Sequence, residues 1–233
     1  MSSPIPLNQP AGTVPAKRER RKEARPGELL AAALDLFVEK GYAATRVEEV
    51  AQRAGVSKGT LFLYFSSKEE LFKAVVRENI SGRFTEWGEE LIHFQGTSEE
   101  LLRHCLSSWW EHVGATRASG IPKLMMSEAG NFPELVQFFQ QEVVQPGNDL
   151  IQRILQRGVA RGELRIADPT YGIYSVLAPM VYLNMWKHGC GSCGDARVDL
   201  DPQRYIASQV QTLLFGLSAN PAPPITDQRK ISA

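Results

Sequence analysis

Four residues between Lys58 and Tyr64 have the types and spacing expected of a nucleic-acid contact. Lys58 carries a positive charge, Thr60 and Tyr64 carry hydroxyl groups, and Gly59 has no side chain to hold a duplex away. Ser57 precedes them and is a favoured N-cap residue, so a helix is predicted to begin here. The N-terminus of a helix attracts phosphate through its free N–H groups and its dipole. The segment is therefore predicted to bind DNA through the amino end of a helix.

A second helix is predicted immediately before this one. Its apolar residues recur at i, i+3, i+4 and i+7: Val47, Val50, Ala51 and Ala54. Thr45 and Glu48 have the spacing of a capping box at its start, and Gly55 suits the left-handed turn at its end. A helix, a tight glycine turn and a second helix form the helix-turn-helix arrangement, whose second helix lies in the DNA major groove.

Flanking helices support this pair. The first is predicted to open at Pro26 and to end at Gly41. Its buried stripe consists of Leu30, Ala33, Leu34 and Phe37. After the pair, Ser67 and Glu70 again have capping-box spacing, which places Lys68 at the N-terminus of a further helix.

The run GVSKGTLFLYFSSKEEL, with the helices before it over residues 26–78, resembles the DNA-binding domain of the tetracycline-repressor (TetR/AcrR) family. The resemblance implies a homodimeric transcriptional regulator, phosphate contacts near Thr45, Tyr64 and Lys68, and base contacts around Gly59. The expected DNA-contacting residues are Arg25, Thr45, Arg46, Ser57, Lys58, Gly59, Thr60, Leu63, Tyr64 and Lys68. Phe62 stands where the family usually has a tyrosine, so one phosphate-binding hydroxyl is missing.

The amino-terminal third of the chain and the remainder also differ in net charge. Residues 1–80 hold 13 lysines and arginines against 10 acidic residues, whereas the remainder holds 13 against 16. A basic amino-terminal third suits a protein that presents one end to DNA. Residues 1–25 are expected to be disordered and to end in the basic run KRERRKEAR. This run is either a solvated charge segment or an arm that follows the phosphates or enters the minor groove.

The rest of the chain has the hydrophobic periodicity of helices and lacks the alternation of apolar and polar residues typical of strands, so the predicted fold is all-α. Residues 26–78 form the predicted three-helix DNA-binding domain, 79–218 a larger ligand-binding and dimerisation domain, and 219–233 a flexible tail. Within the larger domain one helix is expected from Thr97 to about Ala118. Residues 132–160 read as two helices or as one kinked at Pro146. Asp168-Pro169 and Asp201-Pro202 are predicted to open the last two helices, the second ending near Leu217.

The family resemblance implies that the last two helices pair in a homodimer and that a small-molecule inducer binds between helices of the larger domain. Aromatic and methionine residues there favour a hydrophobic inducer, although such residues are also ordinary core. The candidate ligand-binding residues are Phe84, Trp87, Leu91, Trp109, Trp110, Met125, Met126, Phe138, Tyr174 and Tyr182. The functional prediction is a repressor released from its double-stranded operator by this inducer.

Other functions are less well supported by the residues. Cys190 and Cys193, with His188 nearby, raise the alternative of a redox- or metal-responsive regulator, but a tetrahedral zinc needs four ligands and no second pair is present. No catalytic motif or cofactor loop is recognised, so neither an enzyme nor a bound cofactor or metal is predicted. Three cysteines indicate a reducing cytoplasm. The apolar run 173–186 is shorter than the ~20 residues that span a bilayer, so no membrane association is expected.

Overall fold

The computed structural model describes residues 26–189 and 200–216; Arg25, Cys190, Cys193 and Leu217 lie outside these ranges. Every regular element within them is helical, which confirms the predicted all-α fold. The α-helices are α1 (Pro26–Lys40), α2 (Val47–Arg53), α3 (Lys58–Tyr64), α4 (Lys68–Asn79), α5 (Phe84–His93), α6 (Ser98–Trp109), α7 (Gly120–Glu128), α8 (Pro133–Phe139), α9 (Gln145–Ala160), α10 (Pro169–His188) and α11 (Pro202–Phe215). None of these helices has the length and hydropathy to cross a membrane.

Helices α1 and α4 and the loop that follows α1 meet at a cluster of aromatic rings. Phe37, Tyr42 and Phe72 have ring centroids between 5.3 and 5.6 Å apart. The chain leaves α1 at Gly41, with φ +86°, and turns from α2 towards α3 at Gly55, with φ +75°. Both glycines occupy the left-handed region that other residues avoid. The predicted glycine turns after α1 and α2 are therefore confirmed.

The predicted capping box at Thr45 is wrong. Helix α2 begins after Arg46, which makes no side-chain cap hydrogen bond. Thr45 is buried, and its hydroxyl oxygen lies 2.7 Å from the carbonyl oxygen of Gly41 and 3.1 Å from that of Leu36. The hydroxyl therefore contacts carbonyl oxygens in the last turns of α1 and just after it, and does not cap the N–H groups at the start of α2.

One hydrophobic cluster runs from the DNA-binding unit into the larger domain. Val76 of α4, Ile121 of α7 and Leu135 of α8 belong to it together with the buried side chains of α1. A Cβ at Gly120, where α7 begins, would come within 2.7 Å of Val38, so α7 approaches α1 very closely. A second cluster joins α6, α9, α10 and α11. The predicted boundary at residue 78 thus crosses a continuous core.

Two predicted helices differ from those observed because π-helical turns intervene. Helix α6 ends at Trp109 and continues as the turn Trp110–Gly114, so it does not reach Ala118. The turn Gln140–Val144 joins α8 to α9, and Pro146 lies within the first turn of α9. Such wide turns are frequent at functional sites.

The last two helices open as predicted. The carboxylate of Asp168 accepts a hydrogen bond from the backbone N–H of Thr170 at 2.8 Å. Asp201 caps α11 in the same way. Proline follows each acid within the first helical turn, where its missing N–H leaves no bond unmade. Helix α11 ends at Phe215.

Candidate DNA-binding surface and ligand cavity

Helix α3 is anchored by one buried residue and exposes its other face. Leu61 is fully buried, whereas Leu63 is 83 % exposed. Phe62 and Tyr64 are also exposed. Three large side chains in succession are therefore available to a partner, although apolar groups usually avoid such exposure.

The amino end of α3 is ordered by two hydroxyl groups. The hydroxyl oxygen of Ser57 accepts a hydrogen bond from the backbone N–H of Thr60 at 3.0 Å, which confirms the predicted N-cap. The two hydroxyl oxygens lie 2.8 Å apart. Among the described residues, a Cβ at Gly59 would have the Ser57 hydroxyl as its nearest non-adjacent neighbour, at 3.7 Å. The backbone of this turn is therefore open to an approaching duplex.

Lys58 joins the starts of α2 and α3. Its ammonium nitrogen lies 2.6 Å from Oε1 of Glu48 and 5.7 Å from the centroid of the Phe62 ring. The hydrogen bond from Lys58 is the largest cause that holds the pKa of the Glu48 carboxyl below its usual value. Because both partners are exposed, the pair contributes little stability, and a phosphate can compete with Glu48 for the ammonium group.

Lys68 is turned inward and does not present a free charge to phosphate, contrary to the prediction. Its ammonium group donates to the carbonyl oxygens of Tyr42, Ala43 and Thr45 at 2.9, 3.2 and 3.2 Å. It also lies 4.4 Å from the centroid of the Tyr42 ring. An ammonium has three protons, and all three are used on the loop between α1 and α2. Burial lowers the pKa of Lys68.

The predicted DNA-contacting residues therefore separate into three groups. Most form a surface patch at the start of α2 and along α3: Arg46, Ser57, Lys58, Gly59, Thr60, Leu63 and Tyr64. Thr45 and Lys68 lie behind this patch and fix the loop that precedes α2. Arg25 lies outside the described residues.

A cavity of about 590 Å³ lies in the larger domain, within the range of roughly 300–1,000 Å³ typical of small-molecule sites. Helices α5, α6, α7, α9 and α10 and the turn Gln140–Val144 enclose it. Of the ten predicted ligand-binding residues, Phe84, Trp87, Trp109 and Met126 line it. The rings of Phe84 and Trp87 meet edge to face, with centroids 5.6 Å apart.

Six predicted ligand-binding residues do not line the cavity. Leu91 borders a separate hollow of about 10 Å³ between α5 and α6. Three belong to the buried clusters: Trp110, Met125 and Phe138. Tyr174 and Tyr182 are exposed, at 56 % and 49 %. Residue type alone did not separate cavity wall from core and surface.

Sequence reasoning also missed much of the wall. Helix α10 contributes Leu177, Met180, Val181, Asn184 and His188, which recur at the spacing of one helical face. The spacing is visible in the sequence, but α10 is apolar on several faces, so no single face stands out. The turn Gln140–Val144 contributes Val143 and Val144.

Ser119 organises the polar groups beside the cavity. Its hydroxyl donates to the Thr116 carbonyl oxygen at 2.7 Å and accepts from the ammonium of Lys187 at 3.0 Å. Because a hydroxyl has one proton, His188 must donate through Nε2, which lies 2.8 Å from the same oxygen. Asn184 donates from Nδ2 to the Ser119 carbonyl oxygen at 3.1 Å, while its buried Oδ1 has no hydrogen-bond partner among the described residues.

Cys105 lines the cavity, and its thiol has low reactivity. Burial raises the pKa of its thiol to about 12, so the reactive thiolate is scarce at neutral pH. Within residues 26–189 and 200–216, no group of three or more His, Cys, Asp or Glu side chains could hold a metal ion. The predicted alternative sensor, Cys190 with Cys193, lies outside the described residues.

Comparisons with known proteins match both parts of the chain. Residues 29–75 match the family "Bacterial regulatory proteins, tetR family", and residues 95–199 match "Tetracyclin repressor-like, C-terminal domain". The HTH-type transcriptional regulator RutR of Escherichia coli (strain K12) is 44 % identical over 184 residues, covering 74 % of this chain and 79 % of that protein. The fatty acid metabolism regulator protein of Bacillus subtilis (strain 168) is 29 % identical over 146 residues, covering 62 % and 74 %.

Solved structures share the fold. The transcriptional regulator FadR from Bacillus subtilis, solved in complex with stearoyl-CoA, superposes with a TM-score of 0.69 and 20 % identity over 83 % of this chain and 100 % of that one. The family match covers the predicted helix-turn-helix, and RutR extends the likeness through most of the larger domain. The chain therefore belongs to the tetR family of bacterial regulatory proteins and is a ligand-responsive DNA-binding transcriptional regulator.

Proposed function

We propose that this regulator is a repressor that leaves its operator when a hydrophobic ligand fills the cavity. The observation that carries the proposal is the position of α7, which borders the cavity through Pro122 and Met126 and also contacts α1 of the DNA-binding unit. A ligand that displaces α7 therefore acts on the DNA-binding unit directly. We place that unit at residues 26–78 and the ligand-binding part at 79–218.

The exposed patch on α2 and α3 is the proposed operator contact. Arg46 and Lys58 supply charge for phosphates, while the open turn at Gly59 and Thr60 approaches base edges. Leu63 extends this surface as an apolar group that suits a thymine methyl. The basic segment that ends at Arg25 is proposed to add phosphate contacts, so deletion of residues 1–22 should reduce the salt dependence of binding.

A homodimer through α10 and α11 is the proposed assembly. Large side chains with apolar surface are exposed along these two helices and do not line the cavity: Tyr171, Tyr174, Tyr182 and Phe215. Contiguous exposed apolar surface of this kind usually marks an interface. Two recognition helices related by two-fold symmetry would read half-sites about 34 Å apart or a multiple of this distance.

The proposed route from cavity to DNA runs through three contacts at the ends of α7. Oε1 of Glu128 accepts a hydrogen bond from the backbone N–H of Ala43 at 3.1 Å. Gly120 packs against Val38 of α1. Just before α7, Arg117 pairs with Asp35 and Glu39 of α1 at 2.7 and 3.0 Å. A ligand that favours a different position of α7 must break or distort these contacts.

The ligand proposed on these grounds is apolar over most of its length. The wall is formed largely by aliphatic and aromatic side chains, and the similar FadR was solved with stearoyl-CoA, which contains a long acyl chain. We propose no catalysis in the cavity. The thiol of Cys105 is held protonated, and Nε2 of His188 is committed to Ser119.

The test begins with duplexes selected from random DNA by the purified protein. Binding of the selected duplex should weaken when the cavity is filled, and tryptophan fluorescence reports filling because Trp87 and Trp109 line the wall. Protein that selects no sequence would refute the DNA-reading role. Selected DNA that binds equally well to filled and empty protein would refute release by ligand.

A further inference from the structure

The cavity has a positively charged opening between α7 and α10. Met126 and Ser127 of α7 and Met185 of α10 line the cavity and are also exposed, so they mark where it meets solvent. Lys123 lies on the same edge of α7 and is exposed, and His188 lies opposite at the end of α10. Lys123 is the one lining residue, among those described, whose side chain carries a full charge at neutral pH.

Among the residues that the structure describes, the basic groups at this opening have no acidic partner. Lys187 is next to His188 in the chain, and its ammonium group shares the Ser119 hydroxyl with the imidazole. Within the described ranges no carboxylate lies within 4.0 Å of the side-chain nitrogens of Lys123, Lys187 or His188. Burial, followed by the charges of Lys187 and Lys123, lowers the pKa of His188. The described residues therefore bring positive charge together at the opening and supply no carboxylate to pair with it.

One of these groups is free to hold a ligand. The ammonium group of Lys187 donates its three protons in hydrogen bonds to the carbonyl oxygens of Gly114 and Thr116, at 2.6 and 3.0 Å, and to the Ser119 hydroxyl oxygen at 3.0 Å. Among residues 26–189 and 200–216, Lys123 has one hydrogen-bond acceptor, the carbonyl oxygen of His188 at 3.3 Å. At least two protons of its ammonium group therefore remain for an anion at the opening.

We propose that the ligand is an amphipathic anion, with its apolar body in the cavity and its anionic head, a carboxylate or a phosphate, held at the opening by Lys123. This inference rests on the proposed ligand cavity and adds the chemical class of its occupant. The body packs against Phe84, Trp87 and Trp109. The head supplies the negative charge that the described residues lack, and a charge-assisted hydrogen bond makes such a contact selective.

A simpler role for Lys123 makes a different prediction. A cation near the C-terminus of a helix is stabilised by the helix dipole, and the ammonium group of Lys123, on α7, contacts the last carbonyl oxygen of α10. If this were its whole contribution, Lys123→Gln would lower the melting temperature and leave ligand preference unchanged. The ligand-binding role predicts a changed preference, which is measured independently of stability.

The experiment compares three probes that share one chain: dodecanoate, dodecyl phosphate and dodecanol. Quenching of the fluorescence of Trp87 and Trp109 gives the dissociation constant for each probe without DNA. Wild-type protein should bind an anionic probe about tenfold more tightly than the alcohol, which corresponds to about 1.4 kcal/mol. Comparison of dodecanoate with dodecyl phosphate identifies the preferred head.

Two variants at the site and one control complete the test. Lys123→Gln should bind the preferred anion and dodecanol equally, and Lys123→Arg should retain the preference. Lys73→Gln removes the same charge from α4, where Lys73 pairs with Glu69 and does not line the cavity, and should behave as wild type.

Two results would overturn the inference. Equal binding of all three probes to wild-type protein, with operator release by each, would exclude selection of an anionic head and leave the proposed repressor intact. Absence of quenching by every probe would contradict both the anionic ligand and the hydrophobic ligand on which it rests.

Discussion

Lys68 and Glu128 hold the same loop from two different helices. The ammonium group of Lys68, on α4, donates hydrogen bonds to the carbonyl oxygens of residues 42, 43 and 45. The carboxylate of Glu128, on α7, accepts a hydrogen bond from the backbone N–H of Ala43. Glu128 is almost fully buried, and its negative charge opposes the lowering of the Lys68 pKa by burial. The loop leads into α2, so these two residues connect the cavity helix α7 to the DNA-binding surface.

Replacement of Lys68 by alanine should destabilise the protein and leave the salt dependence of DNA binding nearly unchanged. Three hydrogen bonds to loop carbonyls are lost and Glu128 loses its cationic neighbour, so the free energy of unfolding should fall by about 1–3 kcal/mol. Urea titration measures this loss. A stable variant whose salt slope drops by about one would instead show that Lys68 contacts phosphate in the complex.

Lys58→Ala should leave stability nearly unchanged and reduce the salt dependence of DNA binding, the opposite of what is expected for Lys68→Ala. The exposed pair with Glu48 contributes little, so stability should change by less than about 0.5 kcal/mol. The plot of log affinity against log salt should become shallower by about one unit, because one phosphate contact is lost. Anisotropy of a labelled operator at several salt concentrations checks this, and an unchanged slope would remove Lys58 from the interface.

Gly59→Ala separates DNA binding from folding. Within the described part of the chain, and apart from its two sequence neighbours, a Cβ there meets no atom closer than 3.7 Å, and alanine favours a helix over glycine by up to about 1 kcal/mol. The variant should melt at the same temperature or higher and bind the operator more weakly, since the added methyl group stands between α3 and the duplex. Operator affinity equal to that of wild type would show that this turn does not face DNA.

Glu128→Ala should weaken the link between cavity and operator. The Ala43 N–H loses its acceptor, so ligand binding should reduce operator affinity by a smaller factor than in wild type. The same change at Glu111, an exposed acid on the turn after α6, is the control and should leave that factor unchanged. The operator dissociation constant is measured with and without ligand for each variant. An undiminished factor in Glu128→Ala would place the coupling elsewhere.

Tyr182→Glu should dissociate the proposed dimer. Tyr182 is half exposed on α10 and its ring lies 6.1 Å from that of Tyr205 on α11, so a charge there would be buried between subunits. Sedimentation velocity should show a monomer. Val159→Glu, at an exposed apolar residue of α9, is the matched control and should remain dimeric. A dimer in both variants would exclude this face.

Local signals predicted the helical framework because they act within a few residues. The hydroxyls of Ser57 and Ser67 and the carboxylates of Asp168 and Asp201 each cap the helix that follows them. Thr45 has the same local pattern but a different role, because its hydroxyl is enclosed by α1. Its position depends on packing between helices, which the sequence pattern does not show.

Some of the candidate site residues were predicted from the sequence and others were not, again because packing between distant segments is not visible in the local pattern. Exposure of Lys58, Gly59 and Leu63 follows from one buried anchor in a short helix. The inward turn of Lys68 depends on loop carbonyls more than twenty positions away. Aromatic residues such as Trp109 and Trp110 are adjacent in sequence, yet only the first borders the cavity. Which of two neighbouring rings meets a ligand depends on the direction of each side chain from the helix.

The most direct test of ligand control is the operator dissociation constant measured while tryptophan fluorescence follows cavity filling by the tightest-binding probe. Filling should raise the constant by a factor of about 5–150, the range given by a coupling energy of about 1–3 kcal/mol, and operator should weaken probe binding by the same factor. A cavity filled by the probe with an unchanged operator dissociation constant would contradict the account.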